Sequence, residues 1–175
     1  MVKVKCLLPS FLISVLTLSS ISAYPQYSKY NVSTGVGIGF PFNQPGITKA
    51  GLSSTVSFVL MVNKTNGLLF QTDFVRFKNK STLSENKFAN MSLGYRRLFT
   101  EKFYTQFSAG AITIQSLYTE GKLAASFGLR TGYIFRAGET AGYDISFQLI
   151  QTTNKYGWVA IQLGGIIGSR KSSKK

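Results

Sequence analysis

The sequence predicts an all-β fold: an eight-stranded antiparallel up-and-down barrel that crosses a membrane. Three observations predict it. Along most of the chain the hydrophobic period is two residues, the period of a strand rather than of a helix. The face opposite the apolar one carries mainly Gly, Ser, Thr, Asn and Gln, not the Lys, Glu and Asp that a water-facing strand surface needs. Finally, only 15% of the 175 residues are charged, against ~25% in ordinary soluble domains.

The first element is a transport signal. Lys3 and Lys5 precede a run from Cys6 to Leu18 that is apolar or small, and small residues follow to Ala23. That order is a secretory signal peptide over 1–23, with cleavage after Ala23, or after Ser22 because Ile21 is bulky for the −3 site. The apolar run is shorter than the ~20 residues a spanning helix needs, so an uncleaved anchor is the lesser reading. Processing removes Cys6, the one cysteine. It also leaves 18 basic against 6 acidic residues, a net +12 in place of the +14 of the whole chain. The mature barrel domain is expected over 24–168, with a basic tail over 169–175.

Eight alternating stretches follow. In the first, Val32, Thr34, Val36, Ile38 and Phe40 share a face against Asn31, Ser33, Gly35, Gly37 and Gly39. The second sets Ala50, Leu52, Val56, Phe58, Leu60 and Val62 against Gly51, Ser53, Thr55 and Ser57. The third, about Gly67–Lys78, sets Leu68, Phe70 and Phe74 against Gln71 and Asp73. The fourth sets Ala89, Met91, Leu93, Tyr95 and Phe99 against Asn90, Ser92, Gly94 and Arg96. In the fifth, Phe103, Phe107, Ala109 and Ala111 oppose Tyr104, Gln106, Ser108 and Gly110. The sixth opposes Leu123, Ala125, Phe127, Leu129, Tyr133 and Phe135 to Ala124, Ser126, Gly128, Arg130 and Gly132. The seventh opposes Ala141, Tyr143, Ile145, Phe147 and Leu149 to Gly142, Asp144, Ser146 and Gln148. The eighth has Val159, Ile161, Leu163 and Ile167 against Gln162 and Gly164.

Connections alternate in kind. Those at Pro41–Lys49, Lys78–Lys87, Ser116–Lys122 and Thr152–Tyr156 read as longer or more polar loops. Asn63–Asn66, Thr100–Lys102 and Arg136–Thr140 read as tight turns, which gives a meander with loops at one end and turns at the other.

A soluble barrel also alternates, but with its apolar face inward and a charged exterior. Here the mid-strand charges are few, mainly Asp73, Arg96, Arg97, Arg130 and Asp144. Small polar residues suit the lumen of an eight-stranded barrel, which is only wide enough for side chains to fill. Aromatic residues gather near strand ends: Tyr30, Phe99, Phe103, Phe135 and Tyr143 at the turn end, Phe40, Phe42, Tyr118 and Tyr156 at the loop end. Interfacial girdles of this kind flank the apolar band of transmembrane barrels. Closure also leaves no backbone edge unpaired in hydrocarbon.

On these features the chain resembles the small outer-membrane β-barrel family of Gram-negative bacteria, the OmpA-type membrane domain, over roughly Tyr30–Ile167. The resemblance implies a location in the cell outer membrane, both termini periplasmic, and contact with the barrel-insertion machinery. One departure is that family members usually end on an aromatic residue read by that machinery. This chain closes its last strand near Ile167, so the signal is expected internally, over Trp158–Ile167. The enzymatic members that modify lipid A acyl chains rely on a His, and this chain has none.

Composition narrows the chemistry. Without His, imidazole bases, His-based triads and nearly all catalytic zinc sites are excluded. The run Gly35-Val36-Gly37-Ile38-Gly39 is not a nucleotide-binding GxGxxG and precedes no helix. Asn63-Lys64-Thr65 and Asn79-Lys80-Ser81 match glycosylation sequons that recur by chance. No catalytic residue, cofactor or metal ligand is expected. The candidate constellation is a lumen charge network of Asp73, Arg96, Arg130, Asp144, Gln71, Gln106 and Gln148. Arg130 pairs with Asp144 across the sixth and seventh strands, and Asp73 with Arg96 across the third and fourth. It reads as a charge-paired plug, since buried charges must be paired, with a narrow solute channel as the alternative.

The basic excess is assigned to the loops, at Lys49, Lys78, Lys80, Lys87 and Lys122, and to the tail. There it serves solvation or contact with the phosphates of lipopolysaccharide. Nucleic acid is not expected, because the cations are not interleaved with aromatics on one face. The expected function is structural or interaction-based, through the extracellular loops: adhesion or envelope stability, by a monomer that is not an enzyme. The alternative is a secreted soluble barrel holding an apolar ligand.

Overall fold

The computed structural model describes residues 28–42, 50–78, 85–116, 119–136 and 141–170. The signal segment, Lys49, Lys80, Tyr118 and residues 171–175 lie outside the described residues. Eight strands form one closed sheet: β1 (Ser28–Phe42), β2 (Gly51–Met61), β3 (Asn66–Lys78), β4 (Glu85–Leu98), β5 (Phe103–Ser116), β6 (Thr119–Arg136), β7 (Ala141–Thr152) and β8 (Gly157–Arg170). Each pairs antiparallel with its neighbour in sequence, and β1 closes on β8 from Phe42↔Gly157 to Ser28↔Arg170. The described strands begin and finish at one end, the turn end; the other is the loop end.

The alternation read from the sequence sets the two faces. Val36, Leu52, Leu93, Leu123 and Ile167 are each about two-thirds or more exposed on the outer wall. Ser33, Ser57, Gln71, Asn90, Ser92, Ser126 and Gln162 are buried in the lumen. An apolar outside around a polar inside is the inverse of a soluble barrel and suits a wall in hydrocarbon. Tyr30, Phe103, Phe135 and Tyr143 stand exposed at the turn end and Phe40 at the loop end, as girdles do. Tyr156 departs from that expectation. It is half-buried and packs on the inner cluster, with its ring 6.0 Å from that of Phe88.

The strands run from 11 residues in β2 to 18 in β6, and β6 in particular extends past the stretch whose alternation marks it in the sequence. The extra length comes out of the loops. Strand β5 ends at Ser116 and β6 begins at Thr119, so the expected Ser116–Lys122 loop is mostly strand. Residues 43–50, 79–84 and 153–156 make the other loop-end connections, so the contrast between long loops and short turns is weaker than expected. A strand can extend through polar residues at a barrel rim because backbone pairing, not side-chain burial, sustains it there. Likewise β8 continues to Arg170, past the expected boundary at 168.

Side chains close the turn-end connections. Asn63 Oδ1 accepts from the backbone N–H of Thr65 (2.9 Å) and Asn66 (2.8 Å), an Asx turn that accounts for the sequon-like Asn63-Lys64-Thr65. Thr100 Oγ1 does the same for Lys102 (3.2 Å) and Phe103 (3.0 Å). At the loop end, Lys155 adopts φ 65° in the β7–β8 turn.

Candidate functional site: the filled lumen and its outer rim

The lumen is stacked in layers along the barrel axis. At the loop end Val75, Phe77, Phe88, Ile112, Ile114, Ala124, Ile150, Trp158 and Ala160 form an apolar plug. Its rings meet edge-on or tilted: Phe77–Phe88 at 5.8 Å, Phe77–Trp158 at 6.3 Å and Phe88–Trp158 at 5.5 Å. At the turn end Val59, Met61 and Leu69 form a smaller plug, with Leu98 against it. The sequence reading missed both, because it took the whole inner face as polar. The signal was there in the alternation, since Val75, Phe77 and Trp158 continue the inward phase of their strands.

Between the plugs lie two polar layers, and all seven residues of the predicted network are buried in them. The layer nearer the turn end holds Arg130, Asp144, Arg96 and Tyr104. Arg130 Nη2 donates to Asp144 Oδ2 at 3.2 Å, the pair expected from sequence, and Arg130 Nε donates to Ser146 at 3.0 Å. The Tyr104 hydroxyl donates to the same Asp144 oxygen at 2.5 Å. Two glycines make this layer possible. A Cβ on Gly132 would lie 2.5 Å from the Tyr104 ring, and one on Gly164 would lie 2.4 Å from Asp144 Oδ1.

The second layer surrounds Asp73. Its carboxylate accepts from Thr55 Oγ1 (2.7 Å), Gln71 Nε2 (2.9 Å), Gln148 Nε2 (3.0 Å) and Asn90 Nδ2 (3.0 Å). All four donors are neutral. Gln162 Nε2 continues the layer by donating to Ser53 (2.8 Å), and the Ser126 hydroxyl donates to Asn90 Oδ1 at 2.6 Å.

The direct Asp73–Arg96 pair expected from sequence is not formed. Register sets Asp73 opposite Asn90, while Arg96 lies opposite Gly67. The two charges are instead joined by side-chain amides. Arg96 Nη2 donates to Gln106 Oε1 (3.0 Å), Gln106 Nε2 to Gln71 Oε1 (3.5 Å), and Gln71 Nε2 to Asp73. The amide dipoles thus run head to tail from cation to anion, which lowers the cost of separating them in a poorly solvated interior. The Arg96 guanidinium also lies 4.5 Å over the Tyr104 ring, a cation–π contact. With Arg96 and Arg130 against Asp73 and Asp144, the lumen network is formally neutral. Arg97, by contrast, lies off the network and faces the Phe99 ring at 5.6 Å.

The predicted loop cations fall differently. Lys49 and Lys80 are outside the described residues. Lys78 closes β3, Lys87 lies in β4 and Lys122 in β6, so these three are strand-end residues, not loop residues. Each is exposed. Arg76, which the sequence reading left out, joins Lys78 on the outward phase of β3.

Among the described residues, no group of three or more His, Cys, Asp or Glu is arranged to hold a metal ion. No family model matches the sequence, and no curated protein does. Solved structures do match. Neisserial surface protein A aligns over 81% of this chain and 97% of its own, at 15% identity and TM-score 0.63. Ail, the attachment invasion locus protein of Yersinia pestis, aligns over 80% of this chain and 97% of its own, at 13% identity and TM-score 0.56. The chain therefore has the transmembrane fold of the small eight-stranded outer-membrane β-barrels.

Proposed function

We propose that this protein is a structural component of the outer membrane, a plugged and non-enzymatic barrel that reinforces the envelope and contacts lipopolysaccharide through the basic rim of its loop end. The observation that carries this reading is the filled lumen. Apolar plugs at both ends and a neutral, hydrogen-bonded network between them leave the wall and the rim as the working surfaces. The same filling argues against a solute channel, and the absence of His argues against the acyl-modifying chemistry of enzymatic barrels. The short loop-end connections favour contact with the membrane surface over extended adhesive loops.

Export through a signal peptide over 1–23 and delivery by the barrel-insertion machinery belong to this reading, as does action as a monomer. Fractionation tests it: the protein should stay with outer membranes and migrate faster unheated than boiled on a gel. Release as a soluble protein would sink it.

A further inference from the structure

We propose that Arg76 and Lys87 form a binding site for a phosphate group of lipid A on the outer wall of the barrel. The proposal deepens the reading of a membrane-embedded barrel and rests on it. Strands β3 and β4 pair with Arg76 directly opposite Lys87, and both residues are exposed on the outward phase. Like charges directly opposite on a sheet repel, because facing side chains are only ~5 Å apart at Cβ. One residue pair further out, Lys78 faces Glu85, an opposite-charge pair in register. The excess positive charge is therefore localised at Arg76 and Lys87. Among the described residues, neither cation has a carboxylate within salt-bridge distance.

Position selects the ligand. Around the two cations the wall is apolar: Leu52, beside Arg76 in register on β2, is 73% exposed, and Phe74, two residues further from the loop end on β3, is 51% exposed. Across from Lys87 on β5 stands Gln115, an exposed amide that can donate to the same group. The cations thus sit where acyl chains give way to headgroups. An anion held there must be attached to a lipid, and a phosphate can accept from a guanidinium, an ammonium and an amide together. Among lipids of an outer leaflet, lipid A offers phosphate directly above several acyl chains. Its chains would lie along Leu52 and Phe74 while the phosphate bridges the two cations and removes their repulsion.

The test uses the mature protein folded into phosphatidylcholine vesicles, with and without bis-phosphorylated lipid A, and reads the midpoint of heat-induced loss of the fast-migrating folded form. The wild type should shift to higher temperature with lipid A. The double variant Arg76→Gln/Lys87→Gln should lose that shift while being no less stable in phosphatidylcholine alone, where the repulsion is relieved. Lys102→Gln, an exposed cation at the turn end, should keep it. A lipid A shift retained in the double variant overturns the proposal. So does an equal wild-type shift with phosphatidylglycerol, which would mean a response to negative surface charge alone. Failure to form any heat-modifiable species in vesicles would instead overturn the membrane-barrel reading.

Discussion

At the scale of single residues, the lumen shows how neutral groups carry buried charge. Removing two ions from water costs several kcal/mol each, and a pair offsets this only with good geometry and further hydrogen bonds. Arg130 and Asp144 gain such bonds from Ser146 and Tyr104, while Arg130 Nη1 and Asp144 Oδ1 stay buried without a hydrogen-bond partner among the described residues. Arg130→Leu should therefore strip Asp144 of its cation and cost about 3–5 kcal/mol. Adding Asp144→Asn, which keeps an acceptor for Tyr104, should recover much of that loss. Urea unfolding in detergent micelles would measure both, and an additive double variant would refute the pairing. Gln71 is the second test. Gln71→Leu removes one donor from Asp73 and breaks the relay to Arg96, so a cost of about 1–3 kcal/mol follows for the groups left unsatisfied. A neutral effect would mean that Asp73 and Arg96 are not coupled through it. The alternation made the inward direction of these residues legible, and the Arg130–Asp144 partnership with it. Asp73 and Arg96 share the inward phase of adjacent strands without meeting, because partners inside a narrow barrel are set by register and by reach across the lumen. Gln106 and Gln71 span that gap, and no periodicity announces it.

At the scale of elements, hydrophobic period two identified all eight strands because one face meets lipid and the other does not. Strand ends were less legible. At the rim both faces become polar, the alternation fades, and only backbone pairing keeps the strand going. This is why Lys87 and Lys122 read as loop residues and prove to be strand residues. The turns show where local chemistry takes over. Asn63 accepts two backbone N–H groups of the β2–β3 connection, so Asn63→Ala should cost about 1 kcal/mol, comparable to loss of a helix cap. Lys155 sits at φ 65°, a conformation that costs an L-residue about 1–2 kcal/mol and that Asn tolerates better. Lys155→Asn should thus stabilise the β7–β8 hairpin modestly and raise the unfolding midpoint in the same micelle assay. A lowered midpoint would show that the lysine side chain contributes more than its backbone conformation costs.

At the scale of the whole molecule, the layers act in series along one axis. A solute would have to pass the loop-end plug, the Asp73 layer, the Arg130–Asp144 layer and the turn-end plug. Composition could not reveal this order, because Gly, Ser and Gln on an inner face are equally consistent with an open polar path. What closes the path at the loop end is Phe77, Phe88 and Trp158 meeting inside the lumen, three residues separated in sequence and joined by the barrel's curvature. A series arrangement makes a sharp prediction. Phe77→Ala with Trp158→Ala should destabilise the barrel, since each large buried ring removed from a core costs about 3–5 kcal/mol. Yet the polar layers beneath stay in place, so planar-bilayer current should remain at baseline, as for the wild type. It should stay there even when that pair is combined with Gln71→Ala and Gln148→Ala, because the Arg130–Asp144 layer and the turn-end plug of Val59, Met61 and Leu69 still close the path. Stable conductance steps from the wild type, or from the loop-end variant alone, would show that the inner network does not seal the lumen.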